Sequence, residues 1–166
     1  MNKQQSFKSV SDKIKHFTPF AEMIPGVLII HQLDPFEPLY MSSKGLELLG
    51  VNLNELKEIG KDYHQKFFNN DHMSDFLPKL NDLLEIGDPS ESITFFQQVR
   101  LKGRMDWAWH LSSTRIFMMD KGGKPTHIIT VSQAVDQMKH IPNKAERLLN
   151  ESVFFKENLD LFLSLG

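Results

Sequence analysis

The chain has 166 residues, of which 40% are hydrophobic and 24% are charged, and its formal net charge is −2 at pH 7. This length suits one domain with its own core and is short for two. The charge provides no basic field to hold nucleic acid by its phosphates, so we expect no direct nucleic-acid binding. The absence of cysteine excludes disulfides, Cys-ligated zinc, iron–sulfur clusters and thiol nucleophiles.

The N-terminal sequence MNKQQSFKSVSDKIKHF lacks the apolar segment of a signal peptide. No other run approaches the roughly 18 apolar residues of a membrane-spanning helix. We therefore expect no membrane association and a cytoplasmic location.

Apolar residues recur at helical spacing near the N-terminus, which predicts an amphipathic helix over residues 1–24. The residues that form this stripe are Val10, Ile14, Phe17, Ala21 and Ile24. Pro25-Gly26 ends the pattern, and Pro19 predicts a kink or a break within the helix.

The next segment predicts two strands and a group of short helices. The apolar runs GVLIIHQL and PLYMS flank the turn DPFE and are typical of a hairpin-like pair. Gly50 is placed to end one short helix, and Asn52 with Glu55 has the spacing of a capping box that starts the next. An irregular helical zone runs from Ile59 to Ile86, and its long helix is expected to begin at Ser74 or Asp75.

Three strands follow, with connectors short enough for antiparallel hairpins. They are SITFFQQVRLK (92–102), DWAWHLSSTRIFMM (106–119) and THIITVSQAV (126–135). This order predicts an α+β fold in which short helices cover one face of a five-stranded antiparallel sheet over residues 25–138. A capping box from Asn143 to Glu146 and an apolar stripe predict a helical connector over residues 139–166.

The central strand around the two tryptophans is partly apolar on both faces. Alternation places Trp107, Trp109, Leu111 and Phe117 on one face, and Ala108, His110, Ile116 and Met118 on the other. Both faces therefore need a cover: the short helices on one, and a terminal helix or a second subunit on the other. We expect a homodimer formed through the terminal helices and the outer sheet face.

Several aromatic and apolar residues are candidates for lining a ligand pocket, because such pockets are mostly apolar with a few polar groups. The candidates are Phe67, Phe68, Phe95, Gln97, Trp109, Leu111, Ile129 and Val131. Gln97 stands out because it interrupts the apolar row Ile93, Phe95, Val99 and Leu101, so it either bonds a buried partner or faces a ligand. Core packing alone is the alternative explanation for the aromatic residues.

Catalytic and metal-binding motifs are not evident in the sequence. No two of the seven histidines have the i, i+4 spacing of a helical zinc site, so we predict no metal site. The acidic residues have no spacing that marks a general acid and base, so we expect no enzymatic activity.

The order of two strands, short helices and three strands, from Ile24 to Met138, resembles the PAS domain. In the last two strands of that family a tryptophan, an arginine, an acidic residue with glycine in the turn, a hydrophobic strand and a closing aspartate are common. The corresponding residues here are Trp107 or Trp109, Arg115, Asp120, Gly122 or Gly123, the strand HIITV and Asp136. The segment FFNNDHMSDFLPKL also resembles the family's loop into its long helix.

This resemblance implies a sensory or dimerisation module that binds a small ligand or a partner and relays the event through its flanking helices. It implies an attached or associated effector, such as a helix-turn-helix domain of a transcription regulator. The cofactor stays open: a cysteine photoadduct of flavin is excluded, whereas a noncovalent flavin, or a haem near His64 and His72, is not. The alternatives are a ligand-free structural dimer and a small α+β enzyme or carrier using His110 or His127.

Overall fold

The computed structural model describes residues 8–135, apart from the side chain of His72. The helices are α1 (Val10–Ala21), α2 (Ser43–Leu49), α3 (Leu53–Ile59), α4 (Tyr63–Phe67) and α5 (Met73–Ile86), with 3-10 turns at Gly60–Asp62 and Asn70–His72. The strands are β1 (Val27–Leu33), β2 (Phe36–Met41), β3 (Ser92–Val99), β4 (Ala108–Met119) and β5 (Pro125–Ala134). The connector expected over residues 139–166 and the closing Asp136 lie outside the described residues. Within 8–135, no helix is long and apolar enough to cross a membrane.

The five strands form one antiparallel sheet in the order β2-β1-β5-β4-β3, as the α+β prediction requires. Strand β5 lies between β1 and β4, so the first and last strands of the domain are neighbours. In the β4–β5 turn, Asp120 Oδ1 accepts hydrogen bonds from the backbone N–H groups of Gly122 and Lys124, both at 2.9 Å. The antiparallel hairpin predicted from the short connector between these two strands is confirmed.

The residues predicted to end α2 and to start α3 do so in the structure. Gly50 closes α2 with φ 72°, and its N–H bonds to carbonyls of the last turn. Asn52 and Glu55 form a reciprocal capping box at the start of α3, with bonds of 3.0 and 2.7 Å. These signals are local, so they do not depend on the rest of the fold.

Helix α1 covers part of the sheet face that points away from α2–α5. It begins at Val10, with Ser9 as its N-cap, and continues through Pro19 to Ala21. The apolar stripe predicted from the sequence packs against Leu28, Ile30, Tyr40 and Phe117 of the sheet. The stripe is confirmed, whereas the predicted helix of residues 1–24 is longer than α1.

Strand β3 ends at Val99 rather than at Lys102, because the next backbone groups bond to helices instead of β4. Arg100 N–H donates to the carbonyl of Phe67, and Lys102 N–H donates to the carbonyl of Leu48. The connector to β4 is therefore longer than the predicted hairpin, and it fastens α2 and α4 to the end of the sheet.

Candidate functional site

The sheet face beneath α2–α5, here called the inner face, carries a row of buried polar side chains. They are His31 on β1, His110, Ser112 and Thr114 on β4, and Thr130 and Ser132 on β5. Ser112 is 0% exposed and Thr114 is 1% exposed, so these groups have no contact with bulk water. A buried polar group costs free energy unless it is hydrogen-bonded, which makes this row unusual for a simple packing surface.

Four of the inner-face side chains form one hydrogen-bonded chain, here called the polar chain. Gln97 Nε2 donates to Ser112 Oγ at 2.7 Å, and Ser112 Oγ donates to Ser132 Oγ at 3.0 Å. Ser132 Oγ lies 3.1 Å from His110 Nδ1. A hydroxyl oxygen can accept two hydrogen bonds, so either Ser132 or His110 can donate in this contact, depending on the tautomer of the imidazole.

A cavity lies between the polar chain and the short helices. The volume open to the centre of a water molecule is about 20 Å³, which is room for roughly one buried water in the present side-chain conformation. Its walls are mostly apolar and come from all five strands, from α2 and α4, from the residue just beyond α4 and from the β3–β4 connector. The lining residues are Val27, Ile29, Met41, Gly45, Leu48, Leu49, Tyr63, Phe68, Gln97, Val99, Leu101, His110 and Ser132.

Gly45 brings α2 close to the sheet at this cavity. A Cβ at this position would lie 2.4 Å from Val27 Cγ1 and 2.6 Å from Met41 Cγ. A side chain here would therefore force α2 away from β1 and β2. The position of the helix wall depends on this glycine.

Beyond Tyr63, the inner face ends in a cluster of aromatic rings and two imidazoles. His31, Phe36 and His64 have centroids 5.3, 4.7 and 5.4 Å apart in a near-equilateral triangle. Tyr63 and Phe68 contact this triangle, with centroids 4.9 and 5.2 Å from that of His64. Aromatic contacts of this kind hold α4 against the β1–β2 hairpin.

Burial decides the ionisation of this cluster. It lowers the pKa of His64 to about 4. Burial, with a smaller effect from nearby His64, holds the pKa of His31 well below its ordinary value. Burial also raises the pKa of Tyr63 above its usual range. All three groups are therefore uncharged at neutral pH.

Of the eight predicted ligand residues, Phe68 and Gln97 line the cavity. Phe67 belongs to the same buried core, whereas Phe95 packs against Phe76 of α5 with ring centroids 4.5 Å apart. The other four lie on the sheet face opposite the cavity, because strand alternation separates them from the polar chain. These are Trp109, Leu111, Ile129 and Val131, and Ile129 packs with the cluster beneath α1.

Neither Ser132, which lines the cavity, nor Ser112, which bonds it from behind, was singled out from the sequence. Their spacing contained a signal, because His110, Ser112 and Thr114 alternate with Trp109, Leu111 and Ser113 along β4. Alternation separates two faces but does not say which one the helices cover.

The described residues offer no ready-made metal or large-cofactor site. Within 8–135, no group of three or more histidine, aspartate or glutamate side chains is placed to hold a metal ion. The cavity has no space for a haem or a flavin ring unless its side chains move. Of the two histidines weighed for haem, His64 lies in the ring cluster described above.

Sequence comparison finds no matching protein family and no matching curated protein. Comparison of structures does find relatives of the fold. A tryptophan-to-alanine variant of the PAS-B domain of Drosophila melanogaster Cycle, solved with bound glycerol, is 15% identical with a TM-score of 0.52, and the match covers 65% of this chain and 98% of that one. The same domain was also solved with bound ethylene glycol.

One archaeal and one bacterial structure extend the comparison. A domain of a putative light and redox sensing histidine kinase from Haloarcula marismortui is 12% identical with a TM-score of 0.54, covering 73% of this chain and 98% of that one. The Rhodobacter sphaeroides LOV protein is 8% identical with a TM-score of 0.58, covering 76% and 69%. The chain therefore has a PAS-like fold, as its order of strands and helices predicts.

Proposed function

We propose that this domain is a sensory module that binds a small uncharged molecule with hydroxyl groups in the inner-face cavity. The observation that carries the proposal is the polar chain. Three of its four members, Gln97, His110 and Ser132, line a cavity whose other walls are mostly apolar. A core that served packing alone would gain stability by filling these positions with apolar side chains. The cost of burying them is explained if they recognise a ligand.

The side chains that line the cavity favour an uncharged ligand. None of the cavity-lining residues is acidic or is a lysine or arginine, so a charged ligand would lose its hydration without a counter-ion. Gln97, Ser132 and His110 offer hydrogen-bond donors and acceptors to a neutral hydroxyl or carbonyl. The limited space favours a molecule of few heavy atoms.

The structural relatives support this choice. A domain of the same fold binds glycerol in one structure and ethylene glycol in another, and both are small neutral polyols. Other structures of this fold are described as a domain of a light and redox sensing histidine kinase and as the N-terminal domain of a diguanylate cyclase with a PAS/PAC sensor. A signalling role with an attached effector, such as a helix-turn-helix domain, is the corresponding proposal for this chain.

The hydrogen bonds around α2 support a proposed route from the cavity to α1. Ser42 would ordinarily cap α2, but its Oγ instead accepts the buried backbone N–H of Leu28 at 3.0 Å. Glu22, at the C-terminal end of α1, takes over the cap: its Oε1 accepts from the N–H and the hydroxyl of Ser43, at 2.9 and 3.1 Å. A ligand that displaces Leu48 or Leu49 of α2 would therefore pull on α1.

The test is an NMR titration of the full chain with ethylene glycol and glycerol. We expect saturable shifts of backbone amides around the cavity. Ser132→Ala should weaken binding about five- to tenfold, since one neutral hydrogen bond contributes roughly 1 kcal/mol. Ser113→Ala is the matched control, because Ser113 lies on the opposite face and its hydroxyl bonds its neighbour Thr94 at 2.9 Å. Equal affinity of both variants, or shifts scattered over the surface, would contradict the proposal.

A ligand-free dimerisation module is the second candidate, and the small volume of the cavity favours it. Helix α1 also exposes Phe20, which is 57% exposed, and Met23 just beyond it is 79% exposed. Apolar side chains at such positions are common in contacts between subunits. The homodimer expected through the terminal helices and the outer sheet face stays a prediction.

A further inference from the structure

The β3–β4 connector, residues 100–107, closes one side of the inner-face cavity with a single side chain. Leu101 lines the cavity and is half-buried. The five residues that follow it, 102–106, are exposed to solvent, and Met105 is fully exposed. Leu101 is therefore the inward end of a loop that otherwise lies at the surface.

Few polar contacts hold this connector against α2, which forms the neighbouring wall through Leu48 and Leu49. Within residues 8–135, one backbone hydrogen bond joins the connector to α2, from the N–H of Lys102 to the carbonyl of Leu48 at 2.8 Å. The stem of the Lys102 side chain lies on Gly50, where a Cβ would come within 2.5 Å of Lys102 Cδ. This apolar contact can separate without breaking a further polar bond.

Other walls of the cavity are held by more hydrogen bonds. Asn69, which follows the cavity residue Phe68, bonds Gln98 of β3 twice, through its backbone N–H at 3.1 Å and its side-chain Nδ2 at 2.7 Å. At the start of α2, Ser42 and Leu28 of β1 share two bonds, at 2.9 and 3.0 Å. A segment with few such bonds opens at a lower free-energy cost than one with many. The contact between α2 and the connector is therefore where this cavity opens most easily.

The connector has a fixed base and a turn that depends on a glycine. The N–H of Arg100 donates to the carbonyl of Phe67 at 2.8 Å, which ties the start of the connector to α4. The guanidinium of Arg100 also lies 4.6 Å from the ring centroid of Trp107, so its first and last residues are in contact. Between them, Gly103 has φ 74°, and a Cβ there would meet nothing within 4 Å.

We propose that the β3–β4 connector is the gate of the inner-face cavity and moves Leu101 away from α2 to admit the ligand. Opening breaks the hydrogen bond between Lys102 and Leu48 and leaves the sheet, α4 and the start of α2 in place. This inference rests on the proposed function, since it names the route by which a hydroxyl ligand enters. Such a route is required because the closed cavity has room for roughly one water molecule.

The first test needs no ligand and measures amide hydrogen exchange of the full chain by NMR. We expect the amide of Lys102 to be protected about tenfold less than that of Arg100, because opening frees the first and not the second. Gly103→Ala should speed the exchange of Lys102 about five- to tenfold, since a side chain at positive φ strains the closed turn. Gly123→Ala is the matched control. Gly123 has φ 81° and equally open surroundings, but it lies in the β4–β5 turn, which does not line the cavity.

The second test measures the rates of glycerol binding from NMR line shapes in a titration of the same proteins. In Gly103→Ala the association and dissociation rates should rise by the same factor, with the affinity unchanged, because the free and bound states share the closed connector. A residue that only formed part of the wall would change the affinity instead. Gly123→Ala should bind glycerol at the wild-type rates.

Three results would overturn the gate. The first is equal protection of Lys102 and Arg100 in the wild type. The second is equal acceleration of Lys102 exchange by Gly123→Ala, which would show that this amide opens by global unfolding. The third is faster exchange of Lys102 in Gly103→Ala with unchanged rates of glycerol binding, which would show that the ligand enters elsewhere. If glycerol binds to none of these proteins, the proposed function fails, and the exchange of Lys102 alone decides whether the connector opens.

Discussion

Acid should destabilise this domain through the buried His64, and the size of the effect follows from its environment. Burial lowers the pKa of His64 to about 4 in the folded state, whereas an unfolded histidine titrates near 6.5. The unfolded chain therefore binds the proton first, so the stability contributed by the neutral imidazole is present above pH 6.5. It is lost as the pH falls from 6.5 towards 4.

The expected loss is about 2 kcal/mol between pH 7 and pH 5, from the linkage between these two pKa values. His31 should add to it, because burial and nearby His64 lower its pKa as well. Urea unfolding at pH 7, 6 and 5 measures the effect. The variant His64→Phe should show a weaker pH dependence, and the remainder should come from His31 and from His127, whose pKa burial also lowers. If His64→Phe unfolds with the same pH dependence as the wild type, the imidazole is not held neutral by burial.

Two further changes test the link between α1, α2 and the sheet. Gly45→Ala should lower the free energy of unfolding by about 1–3 kcal/mol, as overpacking does, because its Cβ would lie 2.4 Å from Val27 Cγ1; unchanged urea stability would show that α2 packs less tightly. Glu22→Gln should speed amide hydrogen exchange at Ser43, since a charged acceptor is replaced by a neutral one. Glu47→Gln, an exposed change on α2, is its control, and equal exchange in both would argue against the cap.

The overall fold could be predicted because its signals are local. The short apolar run of β1, the alternation along β4, the capping box from Asn52 to Glu55 and the glycine that closes α2 each specify an element without reference to its neighbours. The end of β3 could not be predicted in this way. The residues after Val99 keep a strand-like alternation of charged and apolar side chains, but the N–H of Lys102 bonds to the carbonyl of Leu48, a partner far along the chain.

The candidate site could be predicted only in part, because the sequence does not show which face of the sheet lines the cavity. Trp109 and Leu111 suggest a ligand surface by their apolar character, yet they share the sheet face on which α1 packs. Ser112 and Ser132 resemble solvent-facing positions, yet they are 0% and 3% exposed beneath the helices. Gln97 could be recognised from the sequence because a polar residue in an apolar row needs a buried partner or a ligand, whichever face of the sheet it lies on.

The most direct test of the proposed sensory function is a crystal structure of the full chain grown or soaked with glycerol. The proposal predicts electron density for the polyol inside the inner-face cavity, with hydroxyl groups within hydrogen-bond distance of Gln97, Ser132 or His110. A cavity that holds only water, or that stays closed while glycerol binds elsewhere on the surface, would contradict it.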